Sequence, residues 1–290
     1  MKVGVIVLGI LPAGVKQIIH RLSKSFIPNH SLVGIEMDKH TDEIRYTELI
    51  QTNDSPYLSY SPLRLSFAEP STNWKEVFAP MDVSIIIGDD EAKEQWQQYI
   101  AKEESIRTLF VPVSIYNNVK GNDWSLGYDT ALNVITQNVL KVQDTIHSLK
   151  YDKPRLFGFS MEGNPSTNML QDLSLAVDGN YLAVDYDKED IPVLCESIKN
   201  GYTYSKTSNV LIYSEGLQEV IETSVITQLD VDWKYTKIDE ALCMGINPTA
   251  LDRILANELA EGILRWVHTS YPTAEIAVLK DGVNLKKFEL

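Results

Sequence analysis

Short runs of β-branched residues alternate with amphipathic stretches along most of the chain, and this alternation limits the fold more than any other feature. The chain opens on VGVIVLGI, a run broken by Gly9, Pro12 and Gly14. Val15, Ile18, Ile19 and Leu22 then recur at helical spacing. The pattern predicts a strand, a turn and a helix. SLVGIE (31–36) reads as a second strand. MDVSIIIGDDEAKEQWQQYI reads as a buried strand, a turn and a polar helix. RTLFVPV (107–113), RLFGFS (155–160), NVLIYS (209–214) and AEIAVLK at the end read as further strands. GYDTALNVITQNVLKVQDTIHSLK is the longest helical pattern, and DRILANELAEGILRWV is another helix. Residues 40–80 are rich in Ser, Pro, Tyr and Asn and read as loops with short elements.

Strands that alternate with helices imply an α/β protein whose mostly parallel sheets are covered on both faces. Ligands in such sheets lie beyond the carboxyl ends of the strands. The loops at 9–14, 88–92, 112–123 and 214–217 are therefore the places where chemistry is expected.

Charge and cysteine content restrict the partners. The formal net charge is −14, a surface that repels nucleic acid and anionic membranes. Neither is an expected partner. Cys195 and Cys243 are too few for a disulfide framework or a structural zinc site. The apolar stretch 3–11 is far shorter than the ~20 residues that span a bilayer, and no secretory cleavage pattern follows it. The expectation is a cytoplasmic protein. The five histidines show no metal-ligand spacing.

The expected loops carry a collinear set of motifs. VPVSIYNNVKGNDWSLGYDTAL is similar to the phosphofructokinase stretch that holds Thr-Ile-Asp-Asn-Asp, Lys-Gly-x-Asp and Gly-x-x-Thr-Ala. GILPAG stands where that family has Gly-Gly-Asp-Ala-Pro-Gly, and IIIGDDEA where it has Ile-Gly-Gly-Asp-Gly-Ser. NPTALDRILA is close to its Ser-Pro-Thr-Ala-x-Asp-Arg-x-Leu-Ala, and YSEG takes the place of its Thr-Glu-Gly/His. From Val3 to about Val267 the chain resembles phosphofructokinases. The resemblance implies two stacked Rossmann-like α/β domains with mostly parallel sheets. It places a larger nucleotide-side domain at 1–127 plus 252–290 and a smaller sugar-phosphate-side domain at 128–251. It also implies transfer of a phosphoryl group from ATP or pyrophosphate, with Mg²⁺, to the 1-hydroxyl of fructose 6-phosphate. A dimer or tetramer is expected, with active sites shared between subunits.

Against that family pattern the chemical groups are altered. Phosphoryl transfer needs backbone N–H groups around the phosphates, a bridging metal and a group that takes the hydroxyl proton. Gly9 is kept, but Ile10 and Leu11 follow it, where only glycine lets a backbone approach phosphate closely. Asp90 is the candidate Mg²⁺ ligand, with Asp89 and Glu91 in the place of family glycines. One like-charge contact at ~4 Å costs about 4 kcal/mol at an effective dielectric of ~20, roughly a thousandfold in affinity. In a shifted register, Gly88-Asp89-Asp90 is similar to the Gly-Asp-Asp of pyrophosphate-dependent members. The family's general base and second carboxylate are replaced by Tyr116 and Asn118, with Ser114 opening the segment. A phenol of pKa ~10 is protonated at neutral pH and cannot act as that base. Losing a general base costs ~10²–10⁴ in rate. Ser114 has no activating base nearby in sequence.

On the sugar-phosphate side, Glu215 matches the family's sugar-binding Glu and Arg253 its substrate Arg. Arg155 matches an Arg lent across the subunit interface. Met161 keeps the Met of Met-Gly-Arg, but Glu162 and Gly163 follow it, and Met244 replaces the Arg expected before Gly245. The plainer readings are a surface pair for Arg253 beside a capping Asp252, a solvated Glu215, and a turn preserved by Lys120-Gly121 and Asp123. His20, Lys24, His147 and Lys206 match the family's effector pocket, and their plainer reading is surface charge.

The expectation is a phosphofructokinase-like protein that is catalytically impaired or inactive. It would act in regulation or structure within an oligomer of its own or with an active phosphofructokinase, with possible sugar-phosphate or effector binding and no resident cofactor. The alternative is an active, divergent phosphotransferase of glycolysis that uses Mg²⁺ with ATP or pyrophosphate.

Overall fold

The computed structural model describes residues 1–26, 30–37, 43–49, 74–100, 106–148, 152–203, 208–245 and 247–288. The chain divides into two compact units, Met1–Asp129 with Ile246–Leu290, and Thr130–Gly245.

In the first unit the elements are β1 (Lys2–Val7), α1 (Val15–Phe26), β2 (Ser31–Met37), β3 (Ile44–Glu48), α2 (Trp74–Phe78), β4 (Val83–Gly88), α3 (Asp90–Ile100) and β5 (Arg107–Pro112). α4 (Tyr128–His147) follows and begins the second unit, which continues with β6 (Arg155–Met161), α5 (Thr167–Ala176), β7 (Asn180–Leu182), α6 (Asp190–Thr203) and β8 (Ser208–Ser214). A helical run over 215–228 contains α7 (Gln218–Val220), and β9 (Asp232–Ile238) and α8 (Glu240–Cys243) complete that unit. α9 (Ala250–His268), β10 (Ala274–Leu279) and β11 (Gly282–Lys287) return to the first unit.

The first unit's sheet has the order β11-β10-β5-β4-β1-β2-β3. Its β10-β5-β4-β1-β2 pairings are parallel, and the edge strands β11 and β3 pair antiparallel. Side chains alternate across the sheet. Val3, Val5, Val7, Ile85 and Ile87 pack with α1 and α9, while Ile6, Ile86 and Phe110 pack with Phe78 and Trp96 from α2 and α3. Burial on both faces is why these strands read as unbroken apolar runs. Val15, Ile18, Ile19 and Leu22 are all buried, as the helical spacing requires.

The second unit's sheet has the order β7-β8-β6-β9 and is parallel throughout. Leu156, Leu211 and Tyr213 form its core with Leu194, Cys195 and Ile198 of α6 and Leu217, Ile221 and Val225 of the helical run.

Two differences from the sequence reading have physical causes. The strand AEIAVLK is not the last, because β11 folds back on it as a hairpin. β9 escaped notice because it lies at a sheet edge with Lys234, Tyr235, Thr236 and Lys237 exposed. Residues 40–80 include the short elements β3 and α2, in keeping with the sequence reading, and positions 40–42 and 50–73 lie outside the described residues.

Candidate functional site

The loops at the carboxyl ends of β1, β4 and β5 hold the altered motifs. In the first loop the Leu8 N–H donates to the Ile87 carbonyl at 2.8 Å, and Gly9 turns the chain with φ +84°. Leu11 then folds back on the main apolar core. Pro12 is buried directly over Gly127, where an added Cβ would lie 2.3 Å from the Pro12 Cβ. The loop is thus packed down on Gly127 within the same unit.

The two candidate carboxylates of the second loop are engaged in holding the fold. Asp89 caps α3, its Oδ1 accepting the Ala92 N–H at 3.1 Å. Burial, more than the neighbouring Asp90, raises its pKa above the ordinary carboxylate range. Asp90 accepts the Lys120 N–H at 3.0 Å on one oxygen and the Lys120 ammonium at 3.1 Å on the other. Glu94 meets the same ammonium at 3.3 Å, and these two partners raise the pKa of Lys120. Asp90 therefore clasps the second loop to the third.

The third loop is internally closed. The Ser114 hydroxyl donates to Asn118 Oδ1 at 2.7 Å and accepts the Tyr116 N–H at 3.0 Å. The Ser114 proton goes to an amide rather than to a base, so nothing here activates it as a nucleophile. Tyr116 is 5% exposed. Asn117 takes a left-handed conformation, φ 51°, and donates to the Asp123 carbonyl at 3.1 Å, a role asparagine tolerates well. Asn122 and Asp123 accept the backbone N–H groups of Val278 and Lys280 at 2.7 and 2.9 Å. The Lys-Gly-x-Asp segment thus fastens the loop to β10 and its turn.

The positions that the resemblance assigns to Mg²⁺ and polyphosphate are taken up by other contacts. Both oxygens of Asp90 already hold Lys120, Asp89 holds a helix end, and Ile10 and Leu11 are half-buried where a bare backbone is required. Among the described residues no group of three or more His, Cys, Asp or Glu side chains is placed to hold a metal.

In the second unit, Met161 is fully buried at the end of β6. Glu215 follows β8 and is ion-paired with Lys237 of β9, and this pair, with a smaller influence from Glu162, raises the pKa of Lys237. Glu162 donates its N–H to the Ile238 carbonyl at 3.0 Å, and Asp239 caps α8 by accepting the Leu242 N–H at 2.8 Å. Glu162, Glu215, Asp239 and Glu240 gather around the strand ends, a poor electrostatic setting for a sugar phosphate. Arg155 lies at the opposite end of β6, paired with Asp232. Six residue steps of strand, about 20 Å at ~3.3 Å each, separate it from Met161 within one chain.

Arg253 donates from Nε to the Pro248 carbonyl at 3.0 Å. The cap of α9 is Thr249, and Asp252 is instead buried, accepting the Gly127 N–H at 2.9 Å. His20 is half-buried on α1, its pKa lowered by burial and by Lys24, which is exposed. The side chain of His147 and all of Lys206 lie outside the described residues.

Sequence reasoning overlooked Lys237, whose strand carries its aromatic residues Trp233 and Tyr235 at period two. It also overlooked Lys93, a buried ammonium that pairs with Glu275 at 2.7 Å and donates to the Lys120 carbonyl at 3.1 Å.

The phosphofructokinase family model matches residues 76–267. The chain belongs to the phosphofructokinase family. An ATP-dependent 6-phosphofructokinase from Staphylococcus carnosus is 25% identical over 211 residues, 72% of this chain and 64% of that protein. One from Staphylococcus epidermidis is 27% identical over 181 residues, 60% of this chain and 53% of that protein. The match thus spans less than two thirds of these relatives' length. The phosphofructokinase structure from Saccharomyces cerevisiae superposes with a TM-score of 0.78 at 18% identity, covering 99% of this chain and 43% of that one. A pyrophosphate-dependent phosphofructokinase from Marinobacter aquaeolei superposes at 0.75 with 11% identity, covering 99% and 82%. These structures share its fold of two mostly parallel sheets. No helix among the described residues of this family member is long and apolar enough to cross a membrane.

Proposed function

We propose that this phosphofructokinase-family chain is non-catalytic and serves a regulatory or structural role in a phosphofructokinase-type oligomer. The observation that carries the reading is the third loop. Where the family resemblance places two carboxylates, a buried Tyr116 and an Asn118 bonded to Ser114 stand instead. A residue that must remove a proton from a sugar hydroxyl has to be a base within hydrogen-bond reach, and neither a phenol nor an amide is one at neutral pH. The packed first loop and the engaged Asp90 support the same reading. The oligomer would be a homodimer or homotetramer, or a mixed assembly with an active subunit.

A coupled assay of purified chain with fructose 6-phosphate, Mg²⁺ and each of ATP, GTP and pyrophosphate tests the proposal. The expected outcome is no donor-dependent product. Brisk turnover in material free of other kinases would overturn it.

The sequence Gly88-Asp89-Asp90 after β4 favours a second reading, a phosphotransferase that uses pyrophosphate. Under that reading product forms with pyrophosphate and is abolished by Asp90→Asn. Residual sugar-phosphate binding in the second unit is a separate element of the proposal, resting on the polarity of Glu215, and the carboxylates around it keep that binding weak. Calorimetry with millimolar fructose 6-phosphate is expected to show heat, and a silent titration with no thermal shift removes that element.

A further inference from the structure

Away from these loops, α1 and α9 end at one place on the first unit. Phe26, the last residue of α1, has its ring centroid 6.3 Å from that of His268, the last of α9. Arg21 and Glu261 pair further back along the same two helices, so the helices run side by side in the same sense. Just beyond α1, His30 donates its N–H to the Phe26 carbonyl at 2.8 Å. Its ring stands edge-on to Phe26 at 5.6 Å and tilts 43° to the His268 ring, with centroids 5.3 Å apart. The Nδ1 atom of His30 is buried and has no hydrogen-bond partner.

We propose that His30 and His268 together bind a single borderline divalent metal ion of the Zn²⁺ or Cu²⁺ class. A Zn–N bond of ~2.0–2.1 Å puts the metal about 3.2 Å from a ring centroid, so two imidazoles at a tetrahedral angle have centroids about 5.2 Å apart. The observed 5.3 Å separation fits a shared ion. An unpartnered buried ring nitrogen needs a ligand to account for it, and a neutral imidazole nitrogen is a donor suited to these metals. His268 is exposed, leaving the remaining coordination positions to water. The terminal carbonyls of two helices also favour positive charge here.

The surrounding cations set the conditions. Burial, and less so the Met1 amine and His268, disfavour a proton on His30. Arg107 already donates to the Val267, Thr269 and Tyr271 carbonyls at the end of α9. Lys24 and Arg265 lie in the last turns of α1 and α9.

Calorimetric titration of tag-free, chelator-treated full chain with Zn²⁺ tests the site, together with Cu²⁺ broadening of the histidine proton resonances. One ion per chain is expected near neutral pH, and binding is expected to weaken as the pH falls, because protons compete with a metal for imidazole nitrogen. His268→Ala, a change at an exposed position, is expected to weaken binding at least roughly tenfold, as is His30→Ala. Absence of binding at millimolar Zn²⁺ overturns the proposal. So does an unchanged affinity in His268→Ala, which would place the ion on other histidines.

Discussion

Asp89 and Asp90 are neighbours with the same side chain and opposite surroundings. Asp90 is held by a backbone N–H and an ammonium. Asp89 is half-buried at a helix N-terminus, and desolvation outweighs its capping bonds, so its pKa is raised. The folded protein therefore keeps the Asp89 proton to a higher pH than the unfolded chain does. That contribution to stability is complete below the unfolded value of ~3.9 and is lost as pH rises through the raised folded value. Asparagine caps a helix as well as aspartate does. Asp89→Asn is thus expected to raise the unfolding temperature near neutral pH and to lose that advantage near pH ~3. Calorimetric scans across pH check this, and a lower melting point for the variant at neutral pH would refute the burial argument.

At the level of loops and helices, the glycines separate turn geometry from close approach. Gly121 and Gly127 both have positive φ, +83° and +98°. Nothing lies within 4 Å of a Cβ placed on Gly121, whereas one on Gly127 meets Pro12 at 2.3 Å. Gly121→Ala is expected to cost about 1 kcal/mol from backbone strain alone. Gly127→Ala adds a clash with a rigid ring, and the total is expected to exceed about 2 kcal/mol. Urea unfolding midpoints measure the difference, and equal losses would mean that Pro12 yields. The same contact explains how the first loop came to be packed down. A proline sits over a glycine, and Leu11 joins the core beside it.

For the molecule as a whole, inactivity would be spread over several loops, and no single reversal should undo it. The double variant Tyr116→Asp with Asn118→Asp restores carboxylates to the third loop but leaves Ile10, Leu11 and the Asp90–Lys120 clasp in place. The expected rate with fructose 6-phosphate and ATP or pyrophosphate stays at background, and recovered turnover would show that the base was the sole defect. The thiols report on intact packing. Burial raises both, with Cys243 pushed up to about 12 and further supported there by Asp239, Glu240 and Glu162. Since the thiolate is the nucleophile, neither should be alkylated by iodoacetamide in the native protein, and both should be alkylated in denaturant. Mass spectrometry distinguishes the two states, and rapid native labelling of Cys243 would contradict its placement.

The sequence alone determined the strand-helix alternation, the buried face of α1 and the loss of carboxylates at positions 116 and 118. Each of these rests on residue type at a spacing that local geometry fixes. Tertiary structure alone decided what the remaining polar groups do. Asp90 met Lys120, Glu215 met Lys237, and Asp252 turned away from capping to hold Gly127, because each partner comes from a different segment of the chain. His30 and His268 are separated by nearly the whole sequence and come together only where α1 and α9 end side by side. Residue types record which chemistry a side chain can perform, and long-range packing chooses the atom it performs it on.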